Sequence, residues 1–203
     1  MKKKISIYGA SGHGKVVMDI IASIGEYELG YVFDDDVTLK SFKKLEVKTS
    51  MREEKLREFP LVFTIGNNEI RKKIVEKTEH TTAPPMIHSN AIKSPSAVIA
   101  NGTVVMAGVV INADAQIKSH VIINSGAVVE HDCLLEDYVH ISPNAALAGD
   151  VNVGEGSHIG IGAQVIQGVK IGKWCTIGAG AVIIEDVPDG ATVVGNPAKI
   201  IKN

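Results

Sequence analysis

Glu130-His131-Asp132 is the segment of this chain best suited to moving a proton. An imidazole flanked by carboxylates can act as a general base near neutral pH. A carboxylate accepting from one ring nitrogen fixes the tautomer and favours the imidazolium that forms. The competing reading is a surface histidine beside two solvated acids. His140 follows nine residues later, and His158 another eighteen after that. Gly149 stands eighteen residues beyond His131, and a glycine N–H near a base is a sensible oxyanion donor if the fold repeats at that interval. Repeated histidines also raise the question of zinc. The gaps from His120 are 11, 9 and 18 residues, which match no paired-ligand spacing, so no metal is expected.

The elements that would position these residues have a period of six. From Ile87 to Ile183 every sixth residue is Ile, Leu or Val except Lys93. Four residues after each stop comes a small or β-branched residue, such as Val109, Cys133 or Ala145. Six matches neither a helix nor a simple strand, but suits short strands joined by tight corners and wound into a solenoid. Three hexads make one coil of eighteen residues, and coils stack about 4.8 Å apart, so residues eighteen apart lie directly above one another. The aliphatic stops then fill the interior and the residue before each stop points outward. His131 falls at the start of a corner and projects to solvent. Flat prism sides favour packing in threes, with clefts between neighbours. Cys133 and Cys175 occupy inward positions, where core packing competes with a disulfide or a nucleophilic thiol.

The first third of the chain reads differently. Residues 4–8 form a strand leading into Gly9-Ala10-Ser11-Gly12-His13-Gly14. Val16, Val17, Ile20, Ile21 and Ile24 follow at helical spacing, with Gly25 as a stop. Residues 29–33 form a second strand ending at Asp34-Asp35-Asp36, and residues 51–59 have helical potential. Residues 61–65 form a third strand ending at Gly66-Asn67-Asn68, followed by a charged helix over 69–77 with Ile70 and Ile74 facing inward. Alternating strands and helices imply a small parallel sheet of the βαβ type. Pro84-Pro85 forms a stiff hinge, dividing the chain into domains 1–83 and 84–203.

Ligands of open α/β sheets bind at the carboxyl ends of the strands. The first loop is G-x-x-G-x-G and lacks the G-x-G-x-x-G dinucleotide fingerprint. Its glycines would admit a phosphate to backbone N–H groups, or serve only a tight turn. The acids after the second strand would bond a ribose or base, or stay solvated. A net charge of −2 and a pI near 6.4 give no reason to expect nucleic acid or an anionic membrane as partner. No apolar run is long enough for membrane insertion, and the start lacks a signal-peptide core, so a cytoplasmic location is expected.

These motifs together resemble the trimeric left-handed β-helix sugar N-acetyltransferases of the PglD/NeuD type. Residues 7–14 resemble the family's nucleotide-sugar loop, Ile65-Gly66-Asn67-Asn68-Glu69-Ile70-Arg71 its second signature, and His131 followed by an acid its catalytic pair. Gly195-Asn196-Pro197-Ala198-Lys199 resembles a closing motif shared by many hexapeptide acyltransferases. The resemblance implies a Rossmann-like α/β domain followed by a left-handed parallel β-helix, and a cytoplasmic homotrimer. It implies acetyl transfer from acetyl-CoA to the 4-amino group of a UDP-linked 4-amino-4,6-dideoxy-N-acetylhexosamine, without a metal. Ser11, Gly12 and His13 would contact the UDP-amino-sugar, Asp34 and Asp35 its uracil end, and Gly66 its sugar. His131 would be the base, tuned by Asp132, with the Gly149 N–H receiving the oxyanion. His140 and Ile161 would contact acetyl-CoA. The next CoA-contacting glycine of the family falls on Ala179, so that contact would be made by backbone. Two alternatives stay open: O-acetylation of sialic acid or another sugar, and a non-catalytic sugar-nucleotide scaffold.

Overall fold

The computed structural model describes residues 2–49 and 57–202 as an α/β unit seated on a three-sided parallel β-solenoid. The six-residue period becomes a two-residue strand at every stop, from β6 (Met86–Ile87) to β22 (Val182–Ile183). From β6 to β19 each strand pairs in parallel with the one eighteen residues on, as Val110 opposite Val128 and Ile141 opposite Ile159. Three ladders result, hence three faces. The first carries the strands that begin at Met86, Val104, Ile122, His140, His158 and Thr176. The second carries those from Ile92 to Val182, and the third those from Val98 to Lys170.

The stops from Val105 to Ile183 are buried together with the small residues that follow them. Burial of each aliphatic side chain contributes about 1.5–3 kcal/mol. Lys93, the exception, sits in the terminal strand of its ladder and donates from Nζ to the carbonyls of Ser94 and Ala97 at 2.7 and 2.8 Å. A lysine is tolerated there because its ammonium can close the open end of the stack. Both cysteines are free and buried, and burial pushes the Cys133 thiol up to about 11.

In the α/β unit, β1 (Lys3–Tyr8), α1 (Gly12–Ile24), β2 (Tyr27–Asp34), β5 (Leu61–Phe63) and α2 (Asn68–Lys77) occupy the expected stretches, and Gly25 ends α1 at φ 76°. A hairpin of β3 (Ser41–Phe42) and β4 (Leu45–Thr49) extends the sheet to the order β3-β4-β2-β1-β5. Its turn holds Lys43 and Lys44 at φ 49° and 68°, a conformation usually marked by Asn-Gly, so the sequence carried no signal for it. Of the helical expectation over 51–59, residues 51–56 lie outside the described residues, and 57–60 run as a turn.

Packing on the first face departs from the simple hexad rule. Met86, Val104 and Ile122 point away from the prism axis yet are buried, because they join Val17, Ile20 and Ile21 of α1 in one apolar cluster. The segment around Pro84 and Pro85 is bonded to both units, with Ala83 donating to Leu61 O at 3.1 Å and accepting from Gly102 at 2.8 Å. Ile70 does not face inward; it is 52% exposed. The inward face of α2 is set by Asn68, Arg71, Ile74 and Val75, a helical stripe displaced from the one through Ile70. A closing hairpin, β23 (Thr192–Gly195) with β24 (Ala198–Lys202), continues the first face, and the Gly195–Ala198 pair brackets its turn.

Candidate active site

His131 lies on the edge between the second and third faces, and its side chain is 60% exposed. Asp132 follows in the left-handed region at φ 62°, which aspartate tolerates. This turns its carboxylate back onto the ring, where His131 Nδ1 meets Asp132 Oδ2 at 2.8 Å. That hydrogen bond, aided by the charges of Asp132, Glu130 and Asp150, raises the imidazole above its ordinary value. Nδ1 is thus engaged and Nε2 is the atom free to take a proton. Gly149 lies against the ring: a Cβ built there would stand 2.5 Å from Cε1 and 2.6 Å from Nε2. Among the described residues the Gly149 N–H has no hydrogen-bond acceptor.

The carboxyl ends of β1, β2 and β5 gather the second group. Ser11 is the N-cap of α1, exposed like Gly12, while His13 enters the first turn half-buried. The loop is fastened from below. Asp34 accepts from the Ala10 N–H at 2.7 Å and the Asp36 N–H at 2.9 Å, and Asp35 accepts from the Tyr8 hydroxyl. Asp34 therefore spends its carboxylate on backbone, and Asp35 is the more exposed of the two. Gly14 is buried close to the Gly9 carbonyl, which a Cβ would meet at 2.6 Å.

A cleft of about 490 Å³ opens where this group meets the prism, lined by Gly66, Asn67, Asn68, His140, His158 and Trp174 among others. His140 and His158 stack with ring centroids 4.7 Å apart. His140 Nδ1 lies 3.3 Å from the Gly66 carbonyl, and His158 Nε2 lies 2.7 Å from Ser142 Oγ. Burial drives His140 down to about 3 and His13 to about 4, with the Arg71 charge acting in the same direction on both. Burial thus favours the neutral form of these imidazoles, in contrast to His131. His140 is hydrogen-bonded, whereas the buried His13 Nε2 has no partner among the described residues. Ile161 and Ala179 stand eighteen residues apart on the edge between the first and second faces, both exposed. One chain therefore brings Gly66, His13 and His140 together. It puts Ile161 and Ala179 one edge away, and His131, Asp132 and Gly149 on the edge opposite the first face. Among the described residues no cluster of His, Cys, Asp or Glu is placed to hold a metal ion.

Residues 4–78 match the family model of the PglD N-terminal domain, and residues 150–185 that of the bacterial transferase hexapeptide. The acetyltransferase domain of PglB from Neisseria gonorrhoeae is 43% identical, covers 98% of this chain and 100% of its own, and superposes with a TM-score of 0.91. The chain belongs to the PglD-type hexapeptide-repeat sugar acetyltransferase family. PerB from Caulobacter crescentus, solved with CoA and GDP-perosamine, is 39% identical with a TM-score of 0.90, covering 98% of this chain and 97% of its own. The UDP-N-acetylbacillosamine N-acetyltransferase of Bacillus subtilis is 42% identical over 115 residues, 52% of each protein. The match thus spans about half the length of that curated relative.

Within this member of the PglD-type family, sequence reasoning missed the two polar residues that seat α2 on the prism, Asn68 and Arg71. The sequence held no signal for them, because on the prism they meet backbone carbonyls of His120, Tyr138 and Gly156 and not side chains.

Proposed function

We propose that this chain transfers the acetyl group of acetyl-CoA to the 4-amino group of a UDP-linked 4-amino-4,6-dideoxy-N-acetylhexosamine. The observation that carries the reading is the outward His131, with Nδ1 on Asp132 and Nε2 open beside Gly149. The amine nitrogen attacks the thioester carbonyl as Nε2 takes its proton. The Gly149 N–H receives the oxyanion, the C–S bond breaks, and the CoA thiolate leaves with the proton returned from the imidazolium. Both thiols are buried, so direct transfer needs no acyl-cysteine. Holding amine and thioester together supplies much of the acceleration, and the base adds roughly 10²–10⁴-fold.

In this reading residues 1–83 receive the nucleotide sugar through Ser11, Gly12, His13, Asp34, Asp35 and Gly66. Residues 84–203 receive acetyl-CoA along His140, Ile161 and Ala179. Because His131 lies on the edge opposite the first face, we infer that the base comes from a second chain. The outward column of the second face, Ile92, Val110, Val128, Ala146, Gln164 and Val182, is apolar except for Gln164 and at least partly exposed, and suits a homotrimer. We place the reaction in the cytoplasm, in keeping with two free buried thiols.

A second reading, a GDP-linked amino sugar as acceptor, is favoured by the PerB complex. Incubation with acetyl-CoA and a panel of UDP-, GDP- and CMP-linked amino and hydroxy sugars, followed by thiol release, tests both. Turnover with UDP-linked 4-amines is expected. Turnover only with CMP-linked or hydroxyl acceptors would replace the proposal with O-acetylation.

A further inference from the structure

Arg71 is 1% exposed and, among the described residues, touches no carboxylate. Its N–H groups reach five neutral acceptors instead. Nε donates to the carbonyl of His120 at 3.0 Å, and Nη1 to those of Ile65 and Gly66 at 2.8 and 3.3 Å. Nη2 donates to Asn68 Oδ1 at 2.9 Å and to the Tyr138 carbonyl at 2.7 Å. Asn68 Nδ2 in turn donates to the carbonyls of Gly156 and Ser157 at 2.9 and 3.3 Å.

His120, Tyr138 and Gly156 are one corner position in three successive coils, with φ of 57°, 61° and 70°. At that position the N–H bonds to the coil below, as Tyr138 to Ser119 at 3.0 Å, while the carbonyl is left over by the backbone ladder. One edge of the prism thus offers a column of unused acceptors, and buried carbonyls demand partners. The left-handed region is unfavourable for bulky residues, yet this edge places His120, Tyr138 and Trp174 in it. A guanidinium kept here without a counter-ion is a poor choice for packing alone, because an apolar side chain of similar volume avoids the desolvation.

We propose that Arg71 is a positioning residue for acetyl transfer: its fork locks the Gly66 loop, where the nucleotide sugar is received, to the prism face carrying His140, where the thioester is received. The inference rests on the functional reading above. The Gly66 carbonyl is the joint, since it lies 3.3 Å from both Arg71 Nη1 and His140 Nδ1. Arg71 has a second effect through its charge. His13 on α1 and His140 and His158 on the first face all surround it, and it opposes protonation of each. His120, with His80 and Asp137 beside it, and Tyr138 complete the titratable groups around the guanidinium. Burial is the first cause that keeps these imidazoles neutral, and the guanidinium adds to it.

Two variants separate fork from charge: Arg71→Lys keeps the cation and loses the planar donors, and Arg71→Met loses both. Steady-state kinetics would be run between pH 5.5 and 8.5 with acetyl-CoA and the best acceptor of wild type. Loss of register is expected to lower kcat/KM for the acceptor about a hundredfold in both. Both variants should keep the single acid limb of wild type, because burial holds His13 and His140 far below this range. The loss should fall on kcat, with KM for each substrate near that of wild type. Folded variants with wild-type kcat/KM, or an Arg71→Lys variant that alone keeps it, would overturn the proposal, as would a loss confined to KM. So would equal losses in both variants confined to thermal stability. Failure of wild type itself to transfer acetyl to any acceptor would strike the functional reading instead.

Discussion

Gly149→Ala isolates the geometry around the base. Gly149 is not in the left-handed region, so alanine is free of backbone strain, but its methyl would occupy the space of the His131 ring. An exposed side chain swings away cheaply. The melting temperature should stay within about 2 °C, while kcat falls at least about tenfold as Nε2 leaves its position. Differential scanning calorimetry beside thiol-release kinetics checks both halves. Asp132→Asn tests the tuning. The working form of the base is neutral, so the rate rises with pH through the imidazole pKa, which the Asp132 contact raises above 6.5. Asparagine removes the charge, so the acid limb of kcat/KM should move to lower pH while the plateau drops. A limb that stays in place would show that Asp132 does not set it. Both residues were legible in the sequence because a period of eighteen stacks Gly149 on His131. Arg71 was not legible, because four of its five acceptors are backbone carbonyls, which leave no trace in residue types.

At the scale of elements, the prism was readable because its interior repeats, and every stop from Val105 to Ile183 is buried. The docking of the α/β unit was not, since it uses outward residues that the hexad rule assigns to solvent, Met86, Val104 and Ile122. The stripe of α2 was misread for the same reason: Ile70 looks apolar and Arg71 polar, but the surface beneath offers carbonyls. That interface makes stability depend on pH. Burial lowers His13 and His120 to about 4 and His140 to about 3, against an ordinary 6.5. Between those values the unfolded chain binds more protons than the folded one, so stability rises with pH. It should be intact above pH 6.5 and fall progressively towards pH 4. His131 acts with the opposite sign but is exposed and screened. Thermal melting from pH 7.5 to 4.5 should show the decline, and His120→Phe should flatten part of it. An unchanged slope in that variant would show that His120, whose Nδ1 lacks a partner among the described residues, titrates normally.

For the molecule as a whole, the arrangement of faces and edges decides who supplies which group. In the proposed reading the loop of residues 9–14 receives the nucleotide sugar on the side of the first face, and His131 lies on the edge opposite that face, so one site draws on two chains. Two chains, each inactive alone, should therefore complement. A His131→Ala chain and a His13→Ala chain, unfolded together and refolded at equal concentration, should recover about a quarter of wild-type activity as mixed assemblies pair an intact loop with an intact base. Activity no greater than the sum of the two homomers would place both groups of each site in one chain. The most direct measurement, however, is the turnover of the His131→Ala homomer itself, with acetyl-CoA and nucleotide-sugar affinities determined by calorimetry on the same preparation. The account predicts that kcat drops at least about a hundredfold while both dissociation constants and the oligomeric state stay as in wild type. A loss smaller than about tenfold, with binding intact, would contradict it, because another group would then be taking the proton.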